Sequence, residues 1–361
     1  MISRRIRAEA MLGTHHSWAV VMRSLIGEFL KQDCDLYLKS INGYEDFPFQ
    51  WRPYIRDVKN PDISLTYTLP RNFKDRFKKR TGLKLAIYNY ETSILPAAWK
   101  GAINYADYVL PSSNFSKEVF VNSGWPEEKC IVIPHGIHPE DFERKDKVKT
   151  LRTKKAFKFL NVSIPHYRKN IDVLIDAYYS AFQERDDVCL VLKSKVAKPK
   201  YYFECNILEQ IKGVQDKHRG KSLPQIEIVQ ERFESIVPLM NTCDCLVSAA
   251  SSEGFGLPLL EGLAAGMVVI APNCSGQLDF LNSKNSLLVD VKEIDADKKY
   301  QYWKSSDGAK TWLPNKDSLA EQMLNTYRNR GSLKEEFTKE TSNVLREFTW
   351  ENAAKKILDI K

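Results

Sequence analysis

The chain has 361 residues, of which 43% are apolar and 28% charged, and a formal charge of +8. This is the composition of a globular protein, not of a disordered chain, and the length suits two domains that each bury a core. No apolar run approaches the length of a membrane span. The positive balance admits an anionic partner (a nucleotide, a nucleic acid or an acidic membrane) without choosing among them.

The N-terminus, MISRRIRAEAMLG, is basic but lacks an apolar core of signal-peptide length, so a cytoplasmic protein is expected. Seven cysteines (34, 130, 189, 205, 243, 245 and 274) are scattered through the sequence. The odd count and the absence of paired short spacings argue against a disulfide framework or a zinc site. They read as small buried hydrophobes.

In chain order, Ile6–Leu12 reads as a strand. Gly13-Thr14-His15-His16-Ser17 is a turn, with Ser17 the expected N-cap of a helix over Trp18–Lys31. Asp35–Ser40 is a second strand, so the chain opens as β–Gly turn–α–β, the start of a parallel sheet. Residues 47–61 read as loop and Asp62–Thr68 as a strand. A dense basic stretch follows, Arg71 to Lys84, with Phe73 and Phe77 four residues apart. It reads either as an amphipathic helix covering the sheet or as a docking surface for phosphate backbone or lipid head groups. Lys84–Asn89 is a strand with Glu91 just past its C-terminal end, where open parallel sheets bind ligands. Pro96–Tyr105 reads as a helix, Tyr108–Pro111 as a strand and Ser113–Ser123 as a helix. Cys130–Ile133 is expected to close the sheet.

Residues 140–155 are charged and without apolar period, as in an interdomain linker. A second α/β unit follows. Strands are expected at Phe157–Val162, Val188–Lys193 and Ile226–Val229. Helices are expected at Ile171–Arg185, around Tyr202–Lys212 and at Ile236–Thr242. His166 and His218 read as surface residues. Residues 294–314, with Trp303 and Trp312, read as a decorated loop. Leu319–Asn329 and Leu333–Arg346 read as two helices, and Trp350–Ile360 as a last amphipathic one. The domain reading is thus 1–145 and 155–340, with a C-terminal helix in 345–361 packing back toward the first domain.

The most informative stretch is VSAASSEGFGLPLLEGLAAGMVVIAPNCSGQLDFL, residues 247–281. It reads as strand, Gly turn, helix and strand, which sets backbone N–H groups and a helix N-terminus around an anion. Gly254 and Gly256 allow close backbone approach, and Pro258 suits the first helical turn. Glu253 and Glu261 flank that turn. A carboxylate beside a phosphate is unfavourable, so these two better accept hydrogen bonds from hydroxyl groups. Phosphate-binding backbone with hydroxyl-binding acids suggests a sugar nucleotide. The plainer reading is an ordinary Gly turn with two solvated glutamates.

Three segments resemble the retaining glycosyltransferases of glycosyltransferase family four. YADYVLPSSNFSKEVFVNSGWPEEKCIVIPHGIHPEDF is similar to the end of that family's first domain, and FKFLNVSIPHYRKNIDVLIDAY to the start of its second. SSEGFGLPLLEGLAAGMVVIA matches its E-x7-E signature with Glu253 and Glu261. The resemblance implies an α/β fold of the GT-B type, two Rossmann-like β/α/β domains facing a central cleft. It implies a retaining, metal-independent hexosyltransferase or related enzyme that uses a nucleotide-diphosphate sugar as co-substrate, with no other cofactor.

By the same resemblance Glu253 contacts the donor sugar and Glu261 the ribose. The backbone of Gly254, Phe255, Gly256 and Leu257 holds the sugar or diphosphate. Lys169 matches the phosphate-binding lysine, where a cation stabilises charge growing on the leaving diphosphate. The family's arginine six residues before that lysine is replaced by Ser163, and Lys193, at a strand end, is the candidate replacement cation. Glu91 stands in Glu91-Thr-Ser-Ile-Leu-Pro-Ala-Ala-Trp99, similar to one branch of the family. It is the candidate for activating the acceptor or orienting the sugar, or else a structural carboxylate. Gly13, His15 and His16 lie on the first Gly turn, which in this fold faces the acceptor. His135 stands where the family has asparagine.

No Asp-x-Asp triplet suited to a donor-bound metal is present. The expected acceptor is a hydroxyl of a glycan, a lipid-linked sugar or a small molecule, with peripheral membrane contact open and oligomeric state unread. A hydroxylated base in DNA is the second acceptor reading, which would require extruding that base. A sugar-nucleotide epimerase or binding protein on the same fold, and a basic nucleic-acid-binding module, are the rival readings.

Overall fold

The computed structural model describes residues 4–13, 16–44, 47–143, 146–148, 151–301 and 308–361. The first unit begins with strand β1 (Arg5–Ala10), helix α1 (Ser17–Lys31) and strand β2 (Asp35–Ser40). Met22, Leu25, Ile26 and Phe29 of α1 are buried at helical spacing and form its core stripe. The cap differs from expectation. Ser17 is already helical, and His16 caps α1 by accepting from Trp18 N at 3.2 Å through Nδ1. An unprotonated imidazole nitrogen serves there as a cap oxygen does elsewhere.

Strand β3 (Ile63–Tyr67), helix α2 (Phe73–Phe77), strands β4 (Leu83–Ile87) and β5 (Tyr108–Leu110) and helix α3 (Asn114–Asn122) follow. The sheet is parallel, in the order β2-β1-β3-β4-β5. Every residue of β3 is buried, as in a central strand covered on both faces. The helix expected over Pro96–Tyr105 is a 3-10 helix, Ala97–Asn104.

The basic stretch covers the sheet. Phe73 and Phe77 are buried, Arg76 pairs with Glu9 at 2.6 Å and Arg80 lies 3.4 Å from Asp57. Lys74, Lys78 and Lys79 stay exposed. Cys130–Ile133 does not become a strand. Ile131 and Ile133 donate to the carbonyls of Val109 and Pro111, but only one bridge forms, Val109 with Cys130. Pro111 has no N–H to return the next bond, which stops the ladder.

The second unit contains β6 (Phe157–Val162), α4 (Ile171–Ala181), β7 (Val188–Lys193), α5 (Ile207–Lys217) and β8 (Gln225–Val229). It continues with α6 (Val237–Met240), β9 (Cys245–Val247), α7 (Leu257–Ala264), β10 (Val268–Pro272) and β11 (Leu287–Val289). Its six parallel strands run β11-β10-β9-β6-β7-β8. Renumbered within the unit this is the order 6-5-4-1-2-3, that of a dinucleotide-binding fold, with the strand order reversing between β6 and β9. Gly262 of α7 lets that helix lie on β9, since a Cβ there would sit 2.7 Å from Leu246 Cδ2.

Several expectations are corrected here. Residues 291–314 contain an antiparallel pair, β12 (Val291–Asp295) and β13 (Lys310–Pro314), where a loop was expected. Trp303 lies outside the described residues. Helix α5 starts at Ile207, capped by Asn206, not near Tyr202. The two expected C-terminal helices are present and meet at a kink at Asn329 (φ −123°, ψ 19°) within α8 (Lys316–Glu347). His166 and His218 are buried, His218 against Asp176 at 2.8 Å. All seven cysteines are free and buried.

Helix α9 (Trp350–Leu358) belongs to the first unit, which comprises the chain through Gly136 together with Phe348–Lys361; the second spans Ile137–Glu347. The joint is tight. A Cβ on Gly136 would lie 2.2 Å from the carbonyl carbon of Thr349. The neighbouring His135 ring packs 5.6 Å from Trp350.

Candidate active site

In the second unit a cavity opens where β6 and β9 part, at their C-terminal ends. Asn161, Val162 and Ser163 line it from β6, Val247 and Ser248 from β9, and Gly256, Pro258 and Leu259 from the start of α7. Lys169 and Glu253 face each other in the same lining. The positive end of the α7 dipole adds to the lysine, so the place suits an anion.

The loop carrying Glu253 is held from the turn after β6. Asn170 adopts a left-handed conformation (φ 44°, ψ 48°), which asparagine tolerates better than most residues. Its buried amide donates to Ala249 O at 2.9 Å and Ser251 Oγ at 2.7 Å. Ser251 N donates to Arg168 O at 2.8 Å, and the buried Arg168 guanidinium donates to Ser252 O. Glu253 N donates to Ser275 Oγ at 2.9 Å, and Gly276 N donates to Glu253 O. Gly256 has φ +94°, a conformation that favours glycine.

Glu253 is ion-paired twice, to Lys169 and to Arg168 at 3.2 Å. Burial opposes its ionisation, but the two cations outweigh burial and hold its carboxyl below the usual range. Glu261 differs. Burial alone pushes its carboxyl up to about 7.

The residues singled out from sequence separate into groups. Lys169, Ser163, Glu253 and Gly256 meet around the cavity. Phe255 is a core residue whose ring packs 5.0 Å from Phe280, so only its backbone can serve a ligand. Gly254 is buried beside it. Leu257 and Glu261 are on α7 outside the lining. Lys193 ends β7, also outside the lining, with its ammonium 5.6 Å over the Phe233 ring. Burial lowers its pKa despite the attraction of Glu231. The second cation at the cavity's acid is therefore Arg168, which the sequence reading quoted without giving it a role. Asn161, Asn170 and Ser275 were missed, and only Asn170 carried a signal, its place just before a helix.

Gly13, His16 and Glu91 belong to the first unit, and His15 lies outside the described residues. Gly13 is buried just past β1, and Glu91 is half-buried beyond β4. That end of the sheet carries a polar cluster. Asn89 Nδ2 lies 3.4 Å from both Tyr67 Oη and His135 Nε2, and its Oδ1 accepts from Ser112 N and Oγ. Trp18 stacks on Tyr67 at 4.8 Å. Burial, with the charge of Glu91 adding to it, raises the Tyr67 hydroxyl's pKa. Burial lowers that of His135 to about 3, so its ring is neutral.

Two Asp-x-Asp triplets do occur, and neither lies at the cavity. Asp35 of Asp33-Cys34-Asp35, at the start of β2, accepts from Tyr37 and Arg56. Asp295 of Asp295-Ala296-Asp297, at the end of β12, pairs with Lys310 at 2.6 Å.

Residues 157–298 match the family model of glycosyl transferases group 1. The match lies within the second unit, around the cavity. Over 357 residues the chain is 24% identical to a probable sucrose-phosphate synthase of Thermosipho melanesiensis, covering 93% of this chain and 74% of that protein. It is 25% identical over 227 residues to an alpha-monoglucosyldiacylglycerol synthase of Streptococcus pneumoniae, covering 60% of this chain and 47% of the relative. A glycosyltransferase structure from Rickettsia africae superposes with a TM-score of 0.71 at 16% identity, over 99% of this chain and 98% of that one. Anabaena HepE in complex with UDP and glucose gives 0.68 at 14% identity, again over 99% and 98%. These likenesses show the fold, which is GT-B, with two Rossmann-like domains. Among the described residues no helix is long and apolar enough to cross a membrane.

Proposed function

We propose that the protein is a retaining glycosyltransferase that moves a sugar from a nucleotide-diphosphate sugar to an acceptor hydroxyl without a metal ion. The observation that carries this reading is the pairing of Lys169 with Glu253 beside the first turn of α7, at the point where the strand order reverses. A cation and a helix N-terminus suit a diphosphate, and a carboxylate held beside them suits sugar hydroxyls. Lys169 would stabilise the charge that grows on the departing diphosphate, more in the transition state than in the ground state. Glu261 would accept from the ribose. The matched group 1 domain, and a neighbour's binding of UDP and glucose, support a nucleotide-sugar donor.

Retention follows from attack on the face the diphosphate leaves, with that phosphate taking the acceptor's proton as the bond breaks. The acceptor we propose is a small-molecule, glycan or lipid-linked hydroxyl. The relatives support it, since one is named for a sugar phosphate and the other for a glucosylated diacylglycerol. A base in DNA has weaker support, because Arg76 and Arg80 of the basic stretch are engaged by Glu9 and Asp57.

The test is the anomeric configuration of the product by NMR, in chelator-treated buffer. An α-linked donor is expected to give an α-linked product at an unchanged rate. An inverted product, or turnover lost on chelation and restored by a divalent cation, would refute the retaining, metal-independent mechanism.

A further inference from the structure

The segment just before Lys169 carries an exposed patch that the donor site does not use. Ile164 is 50% exposed, Tyr167 37%, Tyr201 60% and Tyr202 42%. Two loops of the second unit are knitted together there. Tyr167 N donates to Phe203 O at 3.0 Å, Cys205 N donates to Pro165 O at 2.8 Å, and His166 bridges Glu204. The patch is therefore built, not a scatter of loose side chains. Phe203 lies beneath it, stacked with Tyr201 at 5.3 Å and against His166 at 5.0 Å. Lysines rim it. Lys298 Nζ lies 5.0 Å over the Tyr202 ring, and Lys299 Nζ 5.9 Å over Tyr167 and 5.1 Å over Tyr300. Lys198 and Lys200 are exposed on the approach to Tyr201. The nearby carboxylate of Glu204 is turned to the backbone N–H groups of Lys200 and Tyr201.

We infer that this patch docks the protein on an anionic lipid bilayer surface. Tyrosine and lysine both have an apolar body and a polar tip, which suits the graded polarity of a headgroup layer. Ile164 supplies an aliphatic contact to the acyl boundary. A protein interface core is depleted of lysine. Sandwiching a nucleic-acid base or a sugar needs open ring faces, and one face of each of these rings is already taken. Here lysine ammonium groups sit over Tyr167 and Tyr202, and Phe203 covers one face of Tyr201. Anionic headgroups are instead met by those same ammonium groups. The basic stretch from Arg71 to Lys84 offers no comparable surface, because Phe73 and Phe77 are buried. The inference stands independently of the reaction catalysed. Since Tyr167 shares a turn with Arg168 and Lys169, docking would bring the cavity's cations close to the bilayer.

The test is co-sedimentation of the full chain with vesicles of phosphatidylcholine, with and without phosphatidylglycerol. Variants are Tyr201→Ser/Tyr202→Ser and Lys298→Gln/Lys299→Gln, both on exposed side chains, with unfolding midpoints measured alongside. The wild type should pellet with phosphatidylglycerol vesicles, less so as salt rises, and stay soluble with phosphatidylcholine alone. The lysine pair should weaken partition roughly thirtyfold, from about one headgroup-scale interaction per lysine. The tyrosine pair should weaken it without changing the salt dependence. Equal pelleting of wild type and both variants would overturn the inference. So would a wild type that ignores both vesicles, whether or not it binds a duplex oligonucleotide through the same residues.

Discussion

Lys169 and Glu253 are ion-paired at the cavity, and this has a consequence for nucleotide binding. A diphosphate must compete with Glu253 for the ammonium. Glu253→Gln is therefore expected to bind a bare nucleoside diphosphate more tightly, by roughly tenfold if about 1.4 kcal/mol of competition is removed. The same variant should lose transfer activity, because the amide has no negative charge and presents an N–H donor where the carboxylate had a second acceptor oxygen. Calorimetry against the nucleotide and a transfer assay check the two halves, and weaker nucleotide binding in the variant would contradict the competition. In the first unit, His135 is buried and neutral, with its pKa lowered to about 3. In the unfolded chain it titrates near 6.5, so between those values the unfolded state takes up a proton that the folded state refuses. Its contribution to stability is complete above about pH 6.5 and is lost as pH falls. About 2 kcal/mol should be gone by pH 5, at ~1.4 kcal/mol per pH unit. Urea unfolding of wild type and His135→Asn at pH 7.5 and 5.0 measures it. An equal decline in both would remove His135 as the cause.

At the scale of elements, the strands were legible where apolar runs end in turn residues. β6 and β7 coincide with the segments read from sequence, Phe157–Val162 and Val188–Lys193. The β12/β13 pair was not legible. Its first strand, Val-Lys-Glu-Ile-Asp, is largely polar, and its partner begins only at Lys310. The motif Glu253-x7-Glu261 marked the cavity's loop, but the sequence could not show that Arg168, Asn170 and Ser275 hold it. Those contacts cross from 22 to 84 residues of chain and leave no local period. Gly136 is another position where tertiary packing, not turn chemistry, sets the residue. A methyl group there would drive into the backbone of Thr349, which has no rotamer to yield. Gly136→Ala should destabilise the first unit by about 1–3 kcal/mol, read by urea unfolding. Full wild-type stability in that variant would show that the C-terminal segment can move aside.

At the scale of the whole molecule, the strand orders of the two units differ, β2-β1-β3-β4-β5 against β11-β10-β9-β6-β7-β8. The described cavity and its paired charges belong to the second unit, within the segment that matches group 1 glycosyl transferases. On the proposed reading that unit binds the donor, and what the first unit presents decides the acceptor. The most direct measurement is a panel of nucleotide-diphosphate sugars against wild type and Lys169→Ala, read as unfolding midpoint and by calorimetry. At least one donor should raise the wild-type midpoint, because a ligand bound only by the native state stabilises it by mass action. Lys169→Ala should lose that rise, measured against the variant's own unliganded midpoint. No stabilisation by any nucleotide sugar, or equal stabilisation of the variant, would contradict the assignment of this cavity as a donor site.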